Sequence, residues 1–296
     1  MISESKISRK GIVLAGGAGS RLYPLTKGVS KQLLPVYDKP MVYYPLSILM
    51  LAGIRDILII STEHDSPILK KILGNGSNFG VNLQYEIQYQ PDGIASALII
   101  AEEFLENAPS ALVLGDNLII GQDLSRTLSS ANNVTKGASI FGYSVKDPTS
   151  FGVVEFDNSK KVISIEEKPE FPKSNYAVPG LYFYDSKASE YAKTLIPSAR
   201  GELEITDLNN LYLKKGELNV EILGRGTAWL DMGTHESLFK AASYIQSVQS
   251  IHGSQIGNLE EIGFNNNWIS KEDLLISINS MSETDYAEYL YNLVNY

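Results

Sequence analysis

The 296-residue sequence contains no cysteine. That absence excludes disulfides and thiolate metal sites and is compatible with a reducing compartment. Histidine is almost as scarce: His64, His235 and His252 lie far apart and form neither an H-E-x-x-H nor any other zinc spacing. No G-x-S-x-G occurs, so an α/β-hydrolase nucleophile is missing. No apolar run approaches the ~18 residues of a membrane span, and the opening MISESKISRK is polar with no apolar signal core. Basic residues are outnumbered, and the net charge of −9 argues against a broad nucleic-acid surface while leaving room for small anions held by a few cations and a metal. The expectation is a soluble cytoplasmic protein that binds neither nucleic acid nor membrane. Internal repeats, low-complexity tracts and obvious linkers are also missing.

What is present is ordinary globular composition, 44% hydrophobic and 20% charged, in a chain long enough to bury a large core. The most distinctive stretch is Leu14 to Pro24, LAGGAGSRLYP, which follows a short apolar run. A strand ending in Gly16, Gly17 and Gly19 lets the backbone bend sharply and bring its N–H groups close to phosphate oxygens. Ser20 follows, and Arg21 adds a permanent positive charge with a planar fork of donors. A glycine cluster alone is as readily a tight structural turn. Two familiar phosphate loops do not fit: the dinucleotide pattern would need a glycine where Leu22 stands, and the P-loop's Gly-Lys-Ser/Thr is absent.

Along the chain, Ile12 to Leu14 reads as a buried strand. Pro40 to Ala52 has helical length, with Pro40 placed to open it, Gly53 to close it and Pro45 working against continuity. Asp56 to Ser61 reads as the next strand. Ser66 and Pro67 read as an N-cap and first helical position of a segment that stops at Gly74. Asp92 and Gly93 precede a helix in which Ile94, Leu98, Ala101 and Leu105 share a face. Ala111 to Leu114 is another buried strand, ending in Gly115, Asp116 and Asn117. This alternation predicts a doubly wound α/β sheet, whose ligands bind outside the carboxyl ends of the strands, where the glycine loop and Asp116 both fall.

The middle of the chain changes character. Ala138 to Val145, Gly152 to Phe156, Val162 to Ile165 and Leu181 to Tyr184 predict antiparallel or peripheral strands, so the sheet is mixed though mainly parallel. Val220 to Leu223 and Ala228 to Leu230 flank Gly224, Arg225 and Gly226, and the second run ends in Asp231. Beyond Gly233 the pattern is helical: Leu238, Ala242, Ile245 and Val248 share a face, and Ser270 and Ser282 each stand three residues before an aspartate in capping-box spacing. Tyr286, Tyr289, Leu290, Leu293 and Val294 form an apolar stripe that packs either on its own core or on a neighbouring subunit. The expected division is a main domain over 1–240 and a helical C-terminal appendage over 241–296.

Asp116 and Asp231 each end an apolar run. A lone aspartate there is usually a turn former or helix cap, but two opening on one cleft would suit Mg²⁺, which takes one or two carboxylates and fills the rest of its shell with water and phosphate.

LAGGAGSRLYP followed by SKQLLPVYDKPM, then LVLGDN, EEKP, SNYAVPGLYFYD, ARGELEITD and WLDMGTH, resembles the sugar-phosphate nucleotidyltransferases over nearly the whole chain, the bacterial glucose-1-phosphate thymidylyltransferases in particular. The resemblance implies a Rossmann-like nucleotidyltransferase fold and direct attack of a sugar 1-phosphate on the α-phosphorus of a nucleoside triphosphate, with dTTP and glucose 1-phosphate as substrates, as the first step towards dTDP-rhamnose and related sugars. Such a transfer needs alignment and charge neutralisation rather than a covalent enzyme residue. By the same resemblance Asp116 and Asp231 hold Mg²⁺, Arg21 and Lys31 face the triphosphate, and Lys168 holds the sugar phosphate. Gln32, Gln88, Pro91 and Gly93 join Leu14, Gly16, Gly17, Gly19 and Ser20 around the nucleotide, and Gln88 offers the donor and acceptor that a thymine or uracil edge requires. Asn117, Gly152, Glu167 and Val178 surround the sugar. The resemblance further implies a homotetramer with an inter-subunit regulatory site near Gly121, Gln122 and Gly224 to Gly226, where Gln122 stands in place of a frequent histidine. A uridylyltransferase and a non-catalytic nucleotide-sugar sensor are the competing readings.

Overall fold

The computed structural model describes residues 8–17, 19–281 and 283–295. Strand β1 (Lys10–Leu14) runs into the glycine loop, and a short hairpin of β2 (Pro35–Val36) and β3 (Lys39–Pro40) leads into helix α1 (Tyr43–Leu51). Pro40 therefore belongs to the hairpin and does not open the helix. Pro45 sits at the third helical position, where its missing N–H has no intrahelical partner to lose, so the helix continues through it. Next come β4 (Asp56–Ser61), α2 (Ser66–Leu73), β5 (Asn82–Ile87), α3 (Ser96–Ile100) and α4 (Glu102–Leu105). The cap of α2 is Asp65 and Ser66 is already helical; Gly74 ends the helix at a φ of 60°. The amphipathic segment after Gly93 is two helices broken at Ala101, yet Leu98, Ala101 and Leu105 are all buried on one side as their spacing predicts.

Strand β6 (Ser110–Leu114) is followed, after only Gly115 and Asp116, by β7 (Asn117–Gly121) and α5 (Leu124–Asn133). Then come β8 (Ala138–Ser144), β9 (Gly152–Phe156), β10 (Val162–Glu167), β11 (Tyr176–Ala177), β12 (Leu181–Tyr184), α6 (Ala188–Ala192) and α7 (Ile205–Lys214). Strands β13 (Leu218–Ile222) and β14 (Thr227–Asp231) precede α8 (His235–His252), α9 (Leu259–Asn265), α10 (Lys271–Ser280) and α11 (Asp285–Asn295).

The main sheet has the order β10-β9-β11-β8-β12-β6-β1-β4-β5, with β13 beside β8. Strands β6, β1, β4 and β5 are parallel, while β12 joins β6 and β8 in antiparallel register. Alternate residues of each central strand feed opposite layers. Val13, Ile57, Ile59, Ala111 and Val113 pack towards α1, α2, α5 and α9; Ile12, Leu58, Ile60 and Leu112 pack towards α3, α6 and α7. The fold is thus a mixed, mostly parallel α/β sheet with helices on both faces and a helical C-terminal region. Because β4 and β5 extend from one side of β1 and β6 lies on the other, the strand order reverses between β1 and β6, where such sheets open a crevice for ligands.

The C-terminal helices are tied into this body. Leu259 and Ile262 of α9 belong to the main core, and Trp268 packs against it. The aromatic stripe turns inward on its own chain: Leu290 is fully buried with Leu274 and Ile278, while Tyr286 and Tyr289 donate their hydroxyls to Glu260 and Glu261 of α9. Ser270 caps α10 in a reciprocal box with Asp273. Ser282, the other capping residue read from the sequence, lies outside the described residues.

Candidate active site

Three polar residues of the cleft are each next to a buried apolar anchor. Leu22, Leu118 and Met232 belong to one cluster with Val36, Met41 and Tyr44 beneath the cleft, and each directly follows a residue turned to the open side: Arg21, Asn117 and Asp231. Burying the anchors fixes where the loops end and so aims their polar neighbours.

The two aspartates are brought together by a ribbon separate from the main sheet. Strands β7 and β14 pair antiparallel with Asp231 opposite Asn117, and the Asp116 carbonyl accepts the Met232 amide at 2.9 Å. The Lys31 ammonium pairs with Asp116 Oδ2, while Asn117 Nδ2 donates to Asp116 Oδ1 at 3.1 Å. Asn117 is held in turn, its Oδ1 accepting from Trp229 Nε1 at 2.7 Å and from the Gly180 amide at 3.0 Å. The Asp231 carboxyl is pushed up to about 6, first by burial and then by the charge of Asp116, against the pull of Lys31 and Arg21. Arg21 lies against Gly233, where a Cβ would stand 2.6 Å from Arg21 Nη2 and 3.1 Å from Asp231 Oδ1.

The cleft has two lobes. The smaller, about 400 Å³, is lined by Leu14, Gly17, Gly19, Ser20, Arg21, Lys31, Gln32, Gly115, Asp116 and Gly233. Gly19 takes a φ of 61°, the left-handed turn its missing side chain permits, and its carbonyl accepts the Thr26 hydroxyl. The larger lobe, about 600 Å³, is lined by Arg21, Asp116, Asn117, Gly152, Glu167, Lys168, Val178 and Asp231 among others. Ser20, Arg21, Ile94, Leu114, Asp116 and Glu202 border both.

Gln88, Gly16 and Gly93 form a separate rim. A Cβ on Gly16 would meet Gln88 Oε1 at 2.7 Å, and Gln88 Nε2 donates to Ser96 Oγ at 2.9 Å. Gly93, at a φ of 95°, lies flat against Leu203, whose carbonyl would stand 2.5 Å from a Cβ there. Pro91 is exposed in the same loop and lines neither lobe.

Several lining residues carry no role in the sequence reading. Tyr182 is buried with its phenol facing the charges of Asp116 and Glu167, which together with burial hold it in the neutral form. Thr206 donates its hydroxyl to Glu167 Oε2, and Arg200 forks onto Glu204 at 2.8 Å to both oxygens. Trp229 fixes Asn117. All lie within the quoted motifs, but only folding shows that Thr206 of α7 meets Glu167 of β10.

Among the described residues no group of three or more His, Cys, Asp or Glu could hold a metal. A pair of converging carboxylates beside an open lobe is the donor set of an ion that completes its shell with water and substrate oxygens, as Mg²⁺ does.

A doubly wound sheet with a glycine loop, two cations and a carboxylate pair at its switch point is built to handle nucleotide phosphates. The nucleotidyl transferase model matches residues 10–248. A glucose-1-phosphate thymidylyltransferase of Neisseria gonorrhoeae is 58% identical over 285 residues, covering 96% of this chain and 99% of the relative. The enzyme of the same name from Mycolicibacterium smegmatis is 50% identical over 286 residues, covering 97% and 99%. A Bacillus anthracis structure in complex with sucrose superposes with a TM-score of 0.75 at 46% identity, covering 80% of this chain and 95% of that one. The chain belongs to the nucleotidyl transferase family, and within it to the glucose-1-phosphate thymidylyltransferases.

Proposed function

We propose that this chain transfers the thymidylyl group of dTTP to α-D-glucose 1-phosphate, giving dTDP-glucose and pyrophosphate. The observation that carries the reading is the two-lobed cleft whose halves meet at Arg21 and Asp116. A triphosphate along the glycine loop brings its α-phosphorus to that junction, and a sugar phosphate beside Lys168 presents an oxygen from the other lobe. That oxygen forms the new bond to the α-phosphorus as the bond to the oxygen bridging the β-phosphorus breaks, and pyrophosphate leaves. Arg21 and Lys31 neutralise the charge on the triphosphate, and Glu167 and Asn117 offer acceptors and a donor to sugar hydroxyls.

Asp116 and Asp231 would hold Mg²⁺, which when bound neutralises phosphate charge and aligns the reacting oxygens. The carboxyl raised to about 6 supports this, since an added cation relieves the repulsion that raises it. In this reading Gln88 and the Gly93 turn read the pyrimidine base. No helix among the described residues is long and apolar enough to cross a membrane, consistent with action in the cytoplasm.

We further propose a homotetramer whose second nucleotide site uses the cavity of about 430 Å³ lined by Leu118 to Gly121, Gln255 to Asn258 and Glu261. Gln122 directly follows Gly121 and Arg225 lies in the turn before β14, whose Thr227 pairs with Gly121; both are exposed and would face an adjoining copy.

The test is release of pyrophosphate from dTTP and glucose 1-phosphate with Mg²⁺, followed by a matrix of nucleotides against sugar 1-phosphates. Turnover that needs Mg²⁺ and prefers dTTP with glucose 1-phosphate is expected. No pyrophosphate from that pair, with nucleotide binding intact, would instead make the chain a sensor.

A further inference from the structure

The side chain of Lys39 is 2% exposed and lines neither lobe of the cleft, and the reaction proposed above makes no use of it. Its ammonium pairs with Asp38 Oδ2 at 2.6 Å and stands 5.5 Å over the ring of Tyr286 from α11. Tyr286 donates to Glu260, itself 5% exposed, and Tyr289 donates to Glu261. Asp38 also accepts from Gln249 of α8 at 3.0 Å. One buried cation therefore stands among Asp38, Glu260 and Glu261, with α8, α9 and α11 converging on the turn of the β2–β3 hairpin. Burial lowers Lys39 and raises Glu260; Lys39 is supported in its charged form first by Asp38 and then by Glu260 and Glu261, and Glu260 first by the Tyr286 hydroxyl and then by Lys39.

The hairpin is also the frame of the nucleotide lobe. The Met41 amide donates to the Leu34 carbonyl and the Val42 amide to the Gln32 carbonyl, each at 3.0 Å, so the chain entering the hairpin at Gln32 and the chain leaving it are clamped together. Lys31, which holds Asp116, immediately precedes Gln32.

We propose that Lys39 is a positioning residue for the nucleotide lobe: by binding the C-terminal helices to the β2–β3 hairpin it fixes the segment that presents Lys31 and Gln32. Losing its charge leaves Asp38, Glu260 and Glu261 to repel one another, parts the helices from the hairpin and loosens the nucleotide lobe while the sugar lobe, built on β9, β10 and α7, keeps its shape. The inference rests on the dTTP and glucose 1-phosphate reading, and the wild-type enzyme measured alongside tests that reading separately.

The experiment compares wild type, Lys39→Met, Glu260→Gln, the double variant and Tyr286→Phe, with circular dichroism to confirm folding. Expected is a KM for dTTP raised about 10-fold in Lys39→Met, the KM for glucose 1-phosphate within about twofold of wild type, and partial recovery in the double variant, because removing one carboxylate charge relieves the repulsion that Lys39→Met uncovers. Tyr286→Phe is expected to shift the dTTP KM in the same direction by about threefold. If Lys39→Met folds with an unchanged dTTP KM, or if both KM values move together, Lys39 has no such role. If Lys39→Met does not fold, Tyr286→Phe decides: a normal dTTP KM there overturns the proposal, and a selective rise upholds it.

Discussion

Asp231 and Asp116 face each other at the open end of the β7–β14 ribbon, and the carboxyl of Asp231 is lifted to about 6 by that arrangement. A group whose folded value lies above its unfolded one favours folding below the unfolded value, near 3.8, and that contribution is lost as pH rises through about 6. Without metal, therefore, Asp231→Asn is expected to stabilise the protein at pH 7 by about 1–2 kcal/mol, measured by denaturant unfolding, while lowering turnover by at least about 100-fold. A variant that is both less stable and fully active would contradict the placement of this carboxylate. Asp116→Asn is expected to abolish turnover as well, leaving the circular dichroism spectrum unchanged.

The same carboxyl sets a pH limb. Activity is expected to fall as pH drops through about 6, and raising Mg²⁺ should move that limb to lower pH, because metal and proton compete for one site. A limb at the same pH from limiting to saturating Mg²⁺ would separate the titration from metal binding.

Arg21→Ala is expected to lower kcat by about 100-fold with little change in the KM for glucose 1-phosphate, since its guanidinium lies at the junction of the lobes beside Asp231. Gly233→Ala should reproduce part of that loss, because the added methyl occupies the space of the guanidinium. Steady-state kinetics varying each substrate in turn distinguish this from a sugar-binding role, which would appear in the sugar-phosphate KM alone.

Gly93→Ala combines a left-handed φ with a collision against the Leu203 carbonyl, where the loop after β5 is clamped by Leu203 N–H to Asp92 at 2.7 Å and Ala95 N–H to Leu203 at 3.1 Å. A stability loss of about 1–3 kcal/mol and a raised dTTP KM are expected, read by thermal unfolding and kinetics. Wild-type values in both would show that the turn can relax without consequence for the base.

With one methyl separating thymine from uracil, discrimination of about 1–3 kcal/mol is the most an apolar contact supplies, so dTTP and UTP should both be used and purine triphosphates poorly. Comparable kcat/KM for ATP and dTTP would remove Gln88 from base reading.

Much of the fold is legible because the central strands are short apolar runs cut off by glycine or a polar residue, as Asp56 to Ser61 is. Strand β5 is not: NLQYEI is the sheet edge, exposed at alternate positions, and its polar face hides the pattern. Strand β7 escapes notice because its start, Asn117, reads as the end of β6, and its partner β14 lies far downstream. The tyrosine stripe of α11 is plain in the periodicity, but which surface it covers depends on Glu260 and Glu261 in α9. In the cleft, the glycine loop and Asp116 announce themselves at strand ends. Arg200, Thr206 and Trp229 act by touching Glu204, Glu167 and Asn117, and contacts across elements leave no local trace.

The β7–β14 ribbon has a further consequence for the chain during its synthesis. The glycine loop, Arg21, Lys31 and Asp116 all emerge early, whereas Asp231 and the strand that carries it emerge only once most of the chain has been made, and closing so long an intervening loop must await the packing of β8 to β13. A molecule translated no further than Asp116 thus carries most of the residues of the nucleotide lobe but half of its carboxylate pair and none of the sugar lobe's β9, β10 and α7. Chemical competence switches on late, at the moment one peripheral strand finds its place.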